Sequence, residues 1–373
     1  MERNKIYLGN CLDVLKTFPD NSIDCCITSP PYYGLRDYGT GKWVGGNSEC
    51  WHIISHKRVN SVCGVGSHSI MESNNIPVGS TIIKKVCPLC GAIREDNQIG
   101  LEESPEEYIK RLVDVFSNVY RILKDDGTLW INIGDSYCGS HGNDKRQSIA
   151  TNKDVRDSYS ENHISLASGL SNLDGYKPKD LIGIPWMLAF ALRESGWYLR
   201  QDIIWNKPNP MPESVKDRCT KSHEYVFLLT KSAKYYFDSD SIQEYAISDP
   251  RRYDYPIMNG AKEQQSGLSR PNHSTNTGGM KVWTGKRNKR SVWSVVPSHY
   301  KEAHFATFPE ELVYPMLIAG CPKDGVVLDP FMGSGTVGVV AKKNHRDYIG
   351  IELNPKYIEM AEHRIKTTMK KLF

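Results

Sequence analysis

The 373-residue chain contains no run of about 18 uncharged apolar residues, so nothing in it reads as a membrane-spanning helix. Met1-Glu2-Arg3-Asn4-Lys5 leads straight into strand-like Ile6-Tyr7-Leu8 without a signal-peptide stretch, and the expectation is a cytoplasmic protein with no membrane partner. Cysteine is sparse, ten residues in all, which excludes a disulfide-built scaffold. The adjacent Cys25-Cys26 falls in an apolar run where thiols behave as small hydrophobes. A one-sided charge is also missing, since the net charge is only +4. The excess is concentrated instead: residues 249–302 carry ten basic side chains against four acidic ones, a candidate nucleic-acid footprint. A solvated basic loop is the plain alternative.

What is present is a chain of alternating strands and helices. Ile6–Leu8 and Asp24–Thr28 read as strands with a helix, Cys11–Phe18, between them. Residues 34–100 lose all periodicity and are too long for an ordinary loop, which predicts an inserted element. Ser104-Pro105-Glu106-Glu107 then combines an N-cap, a first-turn proline and first-turn acids. Apolar residues follow at helical spacing up to a stop at Asp125-Asp126-Gly127. Thr128–Ile133 is a predicted strand, 137–178 a mobile loop, and Lys179–Ser195 a helix. Tyr198–Trp205, His223–Thr230 and Lys234–Phe237 are predicted strands. The last section reads helix (Pro309–Ala319), strand (Gly325–Leu328), helix (Gly335–Lys343), strand (Asp347–Ile351) and helix (Pro355–Lys371). Such alternation implies an α/β fold around a mostly parallel twisted sheet with helices on both faces.

Two segments carry chemistry. In Asp24-Cys25-Cys26-Ile27-Thr28-Ser29-Pro30-Pro31-Tyr32, a buried strand is halted by two prolines, which fix φ and cannot donate to a ladder. That holds the Ser29 and Pro30 carbonyls away from the sheet, with an aromatic ring just after them. The arrangement suits methylation of an aromatic amine. Its lone pair is delocalised into the ring, and hydrogen bonds from both N–H groups to a side-chain oxygen and a backbone carbonyl would push the nitrogen toward a reactive geometry. Tyr32 would stack on the base. The second segment is Val326-Val327-Leu328-Asp329-Pro330-Phe331-Met332-Gly333-Ser334-Gly335-Thr336, a strand running into a glycine turn that opens a helix. The next strand, Tyr348-Ile349-Gly350-Ile351, ends in Glu352, placed to accept ribose hydroxyls. A glycine turn alone is a weak signal, but with that acid it points to nucleoside binding.

Ile27-Thr28-Ser29-Pro30-Pro31-Tyr32 resembles the catalytic motif of the DNA amino-methyltransferases, in the form typical of N4-cytosine enzymes. Asp329–Thr336 resembles the same family's motif for the methionine part of S-adenosylmethionine, and His304-Phe305-Ala306-Thr307-Phe308-Pro309 resembles a further cofactor-lining motif. With the catalytic motif first and the cofactor motif last, the order is that of the circularly permuted β class found in restriction-modification and orphan enzymes. The resemblance implies a Rossmann-like S-adenosylmethionine-dependent methyltransferase fold. Its catalytic parts would be 1–33 and 101–240, its cofactor-binding part 301–373, its target-recognition region 241–300, and 34–100 an insert.

It further implies Ser29, Pro30, Pro31 and Tyr32 as catalytic residues. Asn10, Phe305, Thr307, Asp329, Pro330, Phe331, Gly333, Ser334, Gly335, Thr336 and Glu352 would bind the cofactor. The family often has an acid at the position of Asn10, an amide here. The expected activity is methyl transfer to N4 of cytosine in double-stranded DNA, because the neutral Ser29 hydroxyl matches that subclass. Adenine N6 is the alternative, and a non-catalytic DNA-binding protein on this fold a remote one. The C5-cytosine subclass needs a Pro-Cys nucleophile, absent here. Neither is there a hydride-transfer constellation that would suit a dinucleotide oxidoreductase.

Within the insert, Cys87-Pro88-Leu89-Cys90-Gly91 has the form of a zinc knuckle, and Cys50-x-His52 could close a tetrahedral structural site. His56, Cys63 and His68 are competing ligands, and free cysteines are the plain reading. The expectation is a small zinc-ribbon-like element. In the basic window, Lys281, Lys286, Arg287, Lys289 and Arg290 are candidate phosphate contacts, with Trp283 and Trp293 as aromatic contacts to bases. A cognate restriction endonuclease is the further candidate partner, and the chain is expected to act as a monomer or homodimer.

Overall fold

The computed structural model describes residues 1–38, 40–50, 86–87, 89–138, 164–165, 173–246, 285–299 and 306–370. Eight strands make one sheet: β1 (Lys5–Leu8), β2 (Ile23–Thr28), β3 (Leu123–Ile133), β4 (Tyr198–Asn206), β5 (His223–Thr230), β6 (Val292–Ser294), β7 (Val326–Asp329) and β8 (Asp347–Glu352). Their spatial order is β1-β8-β7-β2-β3-β5-β4-β6. Every neighbouring pair is parallel except the two made by β5, which runs against both β3 and β4.

Helices α1 (Cys11–Lys16), α2 (Pro105–Ile122) and α3 (Ile184–Glu194) pack on one face, and α4 (Glu310–Gly320), α5 (Thr336–Lys343) and α6 (Pro355–Lys370) on the other. The strand pattern divides accordingly. On β2, Cys26 faces the first layer while Cys25 and Ile27 face the second; on β3, Leu129, Ile131 and Ile133 alternate with Trp130. All six residues of β2 are buried, as expected of a central parallel strand covered on both faces.

Helix α2 starts as the sequence requires. The Ser104 side chain accepts from the Glu107 N–H at 3.2 Å and Pro105 occupies the first turn. Three expectations are corrected. The helix predicted from Lys179 begins at Ile184, because Lys179 and Gly183 take positive φ of 76° and 85°. Strand β3 begins at Leu123, directly after α2, and an irregularity in its pairing with β2 absorbs Asp125-Asp126-Gly127. The predicted strand Lys234–Phe237 is irregular chain. Both edges of β5 are already paired, so the segment folds over instead and stacks Phe237 on Trp130 at 6.3 Å.

The insert 34–100 contributes a described hairpin, Lys42–Val44 with Ile93–Glu95, and its residues 36–37 pair with 164–165. Most of the loop predicted over 137–178 lies outside the described residues. The segment 241–300, set apart as a recognition region, supplies the sheet's edge strand β6.

Helix α4 meets β3 at very close range. The Gly320 carbonyl accepts from Thr128 Oγ1 at 3.0 Å, and a Cβ at position 320 would stand 2.4 Å from both Thr128 Oγ1 and Trp130 Nε1. Trp130 donates its own Nε1–H to the Thr128 hydroxyl at 3.0 Å, so neither group can retreat cheaply. Gly320→Ala is expected to destabilise the protein by about 1–3 kcal/mol through overpacking, measured as a lower urea midpoint at unchanged slope.

Candidate active site

The carboxyl ends of β2, β3, β4, β7 and β8 and the start of β5 open onto one cavity of about 880 Å³, near the top of the roughly 300–1,000 Å³ range of small-molecule sites. Ser29, Pro30, Pro31 and Tyr32 line it together with Asn10, Asp329, Pro330, Phe331, Gly333, Ser334, Thr336 and Glu352. Two motifs three hundred residues apart in sequence thus share a single space.

The prolines end β2, and the Tyr32 ring then packs closely against the exit of β3. A Cβ on Gly134 would lie 2.6 Å from Tyr32 Cε2, so glycine there makes room for the ring. The Tyr32 hydroxyl donates to Glu224 Oε2 at 2.6 Å and lies 3.2 Å from Asn132 Oδ1. Burial and the neighbouring Glu224 carboxylate push the Tyr32 phenol well above its ordinary value, so it remains neutral. Ser29 Oγ donates to the same Asn132 Oδ1 at 3.4 Å. The backbone after the serine is fixed by Tyr108, whose hydroxyl donates to the Pro31 carbonyl at 2.8 Å.

At the other end, β7 passes through Asp329 into the glycine turn. Thr28 Oγ1 donates to Asp329 Oδ1 at 2.6 Å, and the Phe331 N–H donates to the same oxygen at 3.0 Å. Burial pushes the Asp329 carboxyl up to about 7 despite these bonds. Glu352 accepts from the Gly333 N–H at 2.8 Å and from the Asn354 N–H at 2.8 Å, which ties the turn to the tip of β8. Burial raises its carboxyl as well.

Gly333, Gly335 and Gly338 stand at the spacing of a dinucleotide fingerprint, so spacing alone does not identify the nucleoside. Gly335 (φ 80°) lies behind the turn, where a Cβ would meet Ala361 Cβ at 2.8 Å, and it does not line the cavity. Ser334 and Thr336 hydroxyls both accept from Arg364. Asn10 lines the cavity, and its Oδ1 caps α1 by accepting from the Leu12 N–H at 2.9 Å. Thr307 lies in a two-residue strand paired with Ser298–His299, and Phe305 is outside the described residues.

The sequence reading missed several residues. Asn132, Lys207, His223 and Glu224 line the cavity, and so do Tyr38, Gln98 and Ile99 from the ends of the insert. A polar Asn132 inside the apolar run Trp130–Ile133, only 2% exposed, was the available signal.

In the basic window, Lys281 and Trp283 lie outside the described residues. Lys286 and Arg287 pair with Glu244–Tyr245, and the Nε groups of Arg287 and Arg290 both donate to Glu244 Oε1, at 2.9 and 2.7 Å. Lys289 sits over the Trp293 ring. Trp293 corrects the expectation of an aromatic base contact. It is buried on β6, packs on Trp130 at 6.5 Å, and donates its N–H to the Arg290 carbonyl at 2.7 Å.

In the insert, the sulfur atoms of Cys50, Cys87 and Cys90 all lie within 4.8 Å of one another, although 37 residues separate the first two. His52, His56, Cys63 and His68 lie outside the described residues. Gly91 (φ 74°) makes the knuckle turn, its N–H donating to the Cys87 carbonyl at 2.9 Å.

A family model described as DNA methylase, of the N6 and N4 class, matches residues 23–363. Type II methyltransferase M.Cfr9I of Citrobacter freundii is 40% identical over 361 residues, covering 97% of this chain and 87% of that protein. Among solved structures, the PvuII DNA methyltransferase (cytosine-N4-specific) superposes with a TM-score of 0.51 at 15% identity, covering 100% of this chain and 93% of that one. A Thermus thermophilus protein solved with S-adenosyl-L-methionine gives a TM-score of 0.50 at 17% identity, over 98% of this chain and 94% of that one. These likenesses place the chain in the Rossmann-like methyltransferase fold.

The Thr28–Asp329 bond generates a pH-dependent expectation. With a folded value near 7, far above the usual carboxylate range, Asp329 adds stability at acid pH that is lost as pH rises through about 7. Thr28 donates to the ionised form and limits that loss. Thr28→Val should therefore cost about 1–3 kcal/mol, and more at pH 8 than at pH 5, in denaturant unfolding at the two pH values.

Proposed function

The chain belongs to the DNA methylase family of N6 and N4 enzymes, and from that premise we propose that it methylates the exocyclic N4 of cytosine in double-stranded DNA, with S-adenosylmethionine as donor. The observation that carries this reading is the Ser29 hydroxyl at the end of β2, backed by Asn132, in the same cavity as Asp329, Glu352 and the glycine turn. The PvuII enzyme that shares the fold is cytosine-N4-specific, and a neutral hydroxyl suits that amine.

The residues present fit the cofactor. Two buried carboxylates, each raised by burial, line one end of the cavity, where a cationic ligand bearing a ribose would stabilise their ionised forms. When bound there, S-adenosylmethionine supplies an electrophilic sulfonium methyl group. The Gly333 turn lets a ligand approach the backbone, Glu352 is placed for the ribose, and Asp329 for the positively charged end.

The protein's own part in the reaction lies at the other end. Ser29 Oγ and the Pro30 carbonyl accept the two N–H groups of the flipped base, which localises the nitrogen lone pair toward the methyl carbon. Tyr32, neutral and pinned by Glu224, stacks on the ring. As the N–C bond formed, the sulfonium C–S bond would break to leave a neutral thioether, and the nitrogen, now positive, would lose a proton past these acceptors to solvent; no covalent enzyme intermediate is required. Lys286, Arg287, Lys289 and Arg290 form the candidate phosphate contacts. The Type II relatives point to a cognate restriction endonuclease as functional partner, and DNA as substrate to the cytoplasm.

Ser29→Ala combined with Tyr32→Ala should lower methyl transfer by at least about a thousandfold, with S-adenosylmethionine binding still measurable by calorimetry. Digestion of the modified DNA to nucleosides should yield N4-methylcytosine; N6-methyladenine alone would defeat the cytosine assignment.

We also assign a structural zinc to Cys50, Cys87 and Cys90, with the fourth ligand, His52 being the sequence's candidate, in the adjoining stretch. Three converging thiols match the tetrahedral sulfur-rich sites of that ion. Elemental analysis should find about one zinc per chain in wild type and none in the Cys87→Ser, Cys90→Ser double variant. Zinc-free wild type from zinc-supplemented cells would refute the site.

A further inference from the structure

The end of the cavity where Ser29 and Tyr32 lie holds a largely buried ion pair. Glu224, at the start of β5, holds three partners with two oxygens. The Tyr32 hydroxyl and Asn132 Nδ2 donate to Oε2, at 2.6 and 3.2 Å, and the Lys207 ammonium pairs with Oε1. Lys207 follows β4, lines the cavity, and stands 4.4 Å over the Trp205 ring. Both side chains of the pair are largely withdrawn from solvent, at 20% and 13% exposure. Burying such a pair for stability alone is a poor bargain against apolar packing. At the wall of a ligand cavity it supplies something packing cannot, a charged donor in fixed position.

A cytosine whose amino group is held by Ser29 turns its remaining edge, N3 and the O2 carbonyl, toward the same wall. Both are acceptors, and leaving either unpaired once it is buried is unfavourable. Asn132 Nδ2 is already engaged by Glu224 and by the Tyr225 carbonyl at 3.2 Å. Lys207 carries three N–H groups and gives one to Glu224, leaving two for a ligand. Adenine, seated by its amino group in the same way, presents a C–H where cytosine presents O2. An ammonium facing that C–H would lose its partner, which is the strong form of discrimination against the wrong substrate.

We propose that Lys207, held by Glu224, is the base-reading donor that hydrogen-bonds the O2 edge of the target cytosine and excludes adenine. The proposal rests on the cytosine N4 reading above and adds to it the residue that enforces the choice.

The test compares wild type, Lys207→Met and Lys207→Arg on duplexes carrying cytosine or adenine at the target position. Readouts are kcat, KM, DNA affinity at two salt concentrations, S-adenosylmethionine affinity as a check on folding, and the identity of the methylated base. The expected result for Lys207→Met is a fall in kcat on cytosine of at least about tenfold, with DNA and cofactor affinity near wild type and a narrowed preference for cytosine over adenine. Lys207→Arg should recover part of the rate. An unchanged kcat would overturn the proposal. So would a loss confined to DNA affinity with a shallower salt dependence, since that is the behaviour of a phosphate contact. Wild type yielding N6-methyladenine would sink the cytosine reading and this proposal with it. Wild type yielding N4-methylcytosine beside an unaffected Lys207→Met would sink the Lys207 assignment alone.

Discussion

The pairing of β2 with β7 is the constraint on which the rest of this molecule depends. Val327 opposes Cys25 and Leu328 opposes Cys26, so the two strands end within one residue of each other. Just beyond that pair, the hydroxyl of Thr28, two residues past Cys26, is bonded to Asp329, one residue past Leu328. Ser29 and the glycine turn therefore emerge side by side, although the chain travels three hundred residues between them. A slip of one residue would invert the buried faces of one strand relative to the other, placing either Cys26 or Leu328 in the wrong helical layer. It would also take from the buried Asp329 carboxylate its Thr28 donor, leaving only the local Phe331 N–H. Register, burial and the site's electrostatics are thus fixed by a single alignment.

The reversed strand does the second part of the work. In a parallel sheet every strand delivers its last residues to the ligand face and its first residues to the opposite end. Because β5 runs the other way, its first residues, His223 and Glu224, arrive where β2, β3, β4 and β7 finish. Glu224 there meets Asn132 from the end of β3, Lys207 from just beyond β4, and Tyr32 from just beyond β2. One strand in the opposite sense adds to a row of strand ends a polar cluster at the wall of the ligand space.

This explains which parts of the site were legible in the sequence. Ser29–Tyr32 and Asp329–Thr336 announce themselves locally, since consecutive prolines stop a strand and a glycine turn opens a helix wherever they occur. The meaning of Glu224 and Lys207 depends on strand direction, and no residue pattern within His223–Thr230 tells a parallel strand from an antiparallel one. Trp293 misled for a related reason. Its basic neighbours suggested a loop, while Val292–Ser294 has too few residues to show a period and finds its place only by pairing with β4. Lys234–Phe237 reads as a strand on composition and was displaced because β5 had no free edge left. The sheet itself and most of the helices were readable, because long amphipathic or fully apolar segments record their burial in their own sequence.

The insert poses a problem that the geometry resolves. An insertion directly after Ser29–Tyr32 would be expected to loosen residues that line the cavity. Its two ends are instead sewn together within a few residues of Tyr32. Gly34 N–H donates to the Gly100 carbonyl at 2.9 Å, Tyr38 N–H to Gln98 Oε1 at 2.8 Å, and residues 42–44 pair with 93–95. Closure at the base separates the cavity wall from whatever length of chain lies beyond, and added length past such a closure costs entropy only logarithmically. The closed base then becomes part of the cavity, as Tyr38, Gln98 and Ile99 line it, and Tyr38 packs edge-on against Tyr357 at 6.3 Å beside the cofactor end. The three thiols, brought together just beyond the hairpin, repeat the same device farther out. An insertion at this point thus reinforces the Ser29–Tyr32 turn, because the fold anchors it before letting it vary.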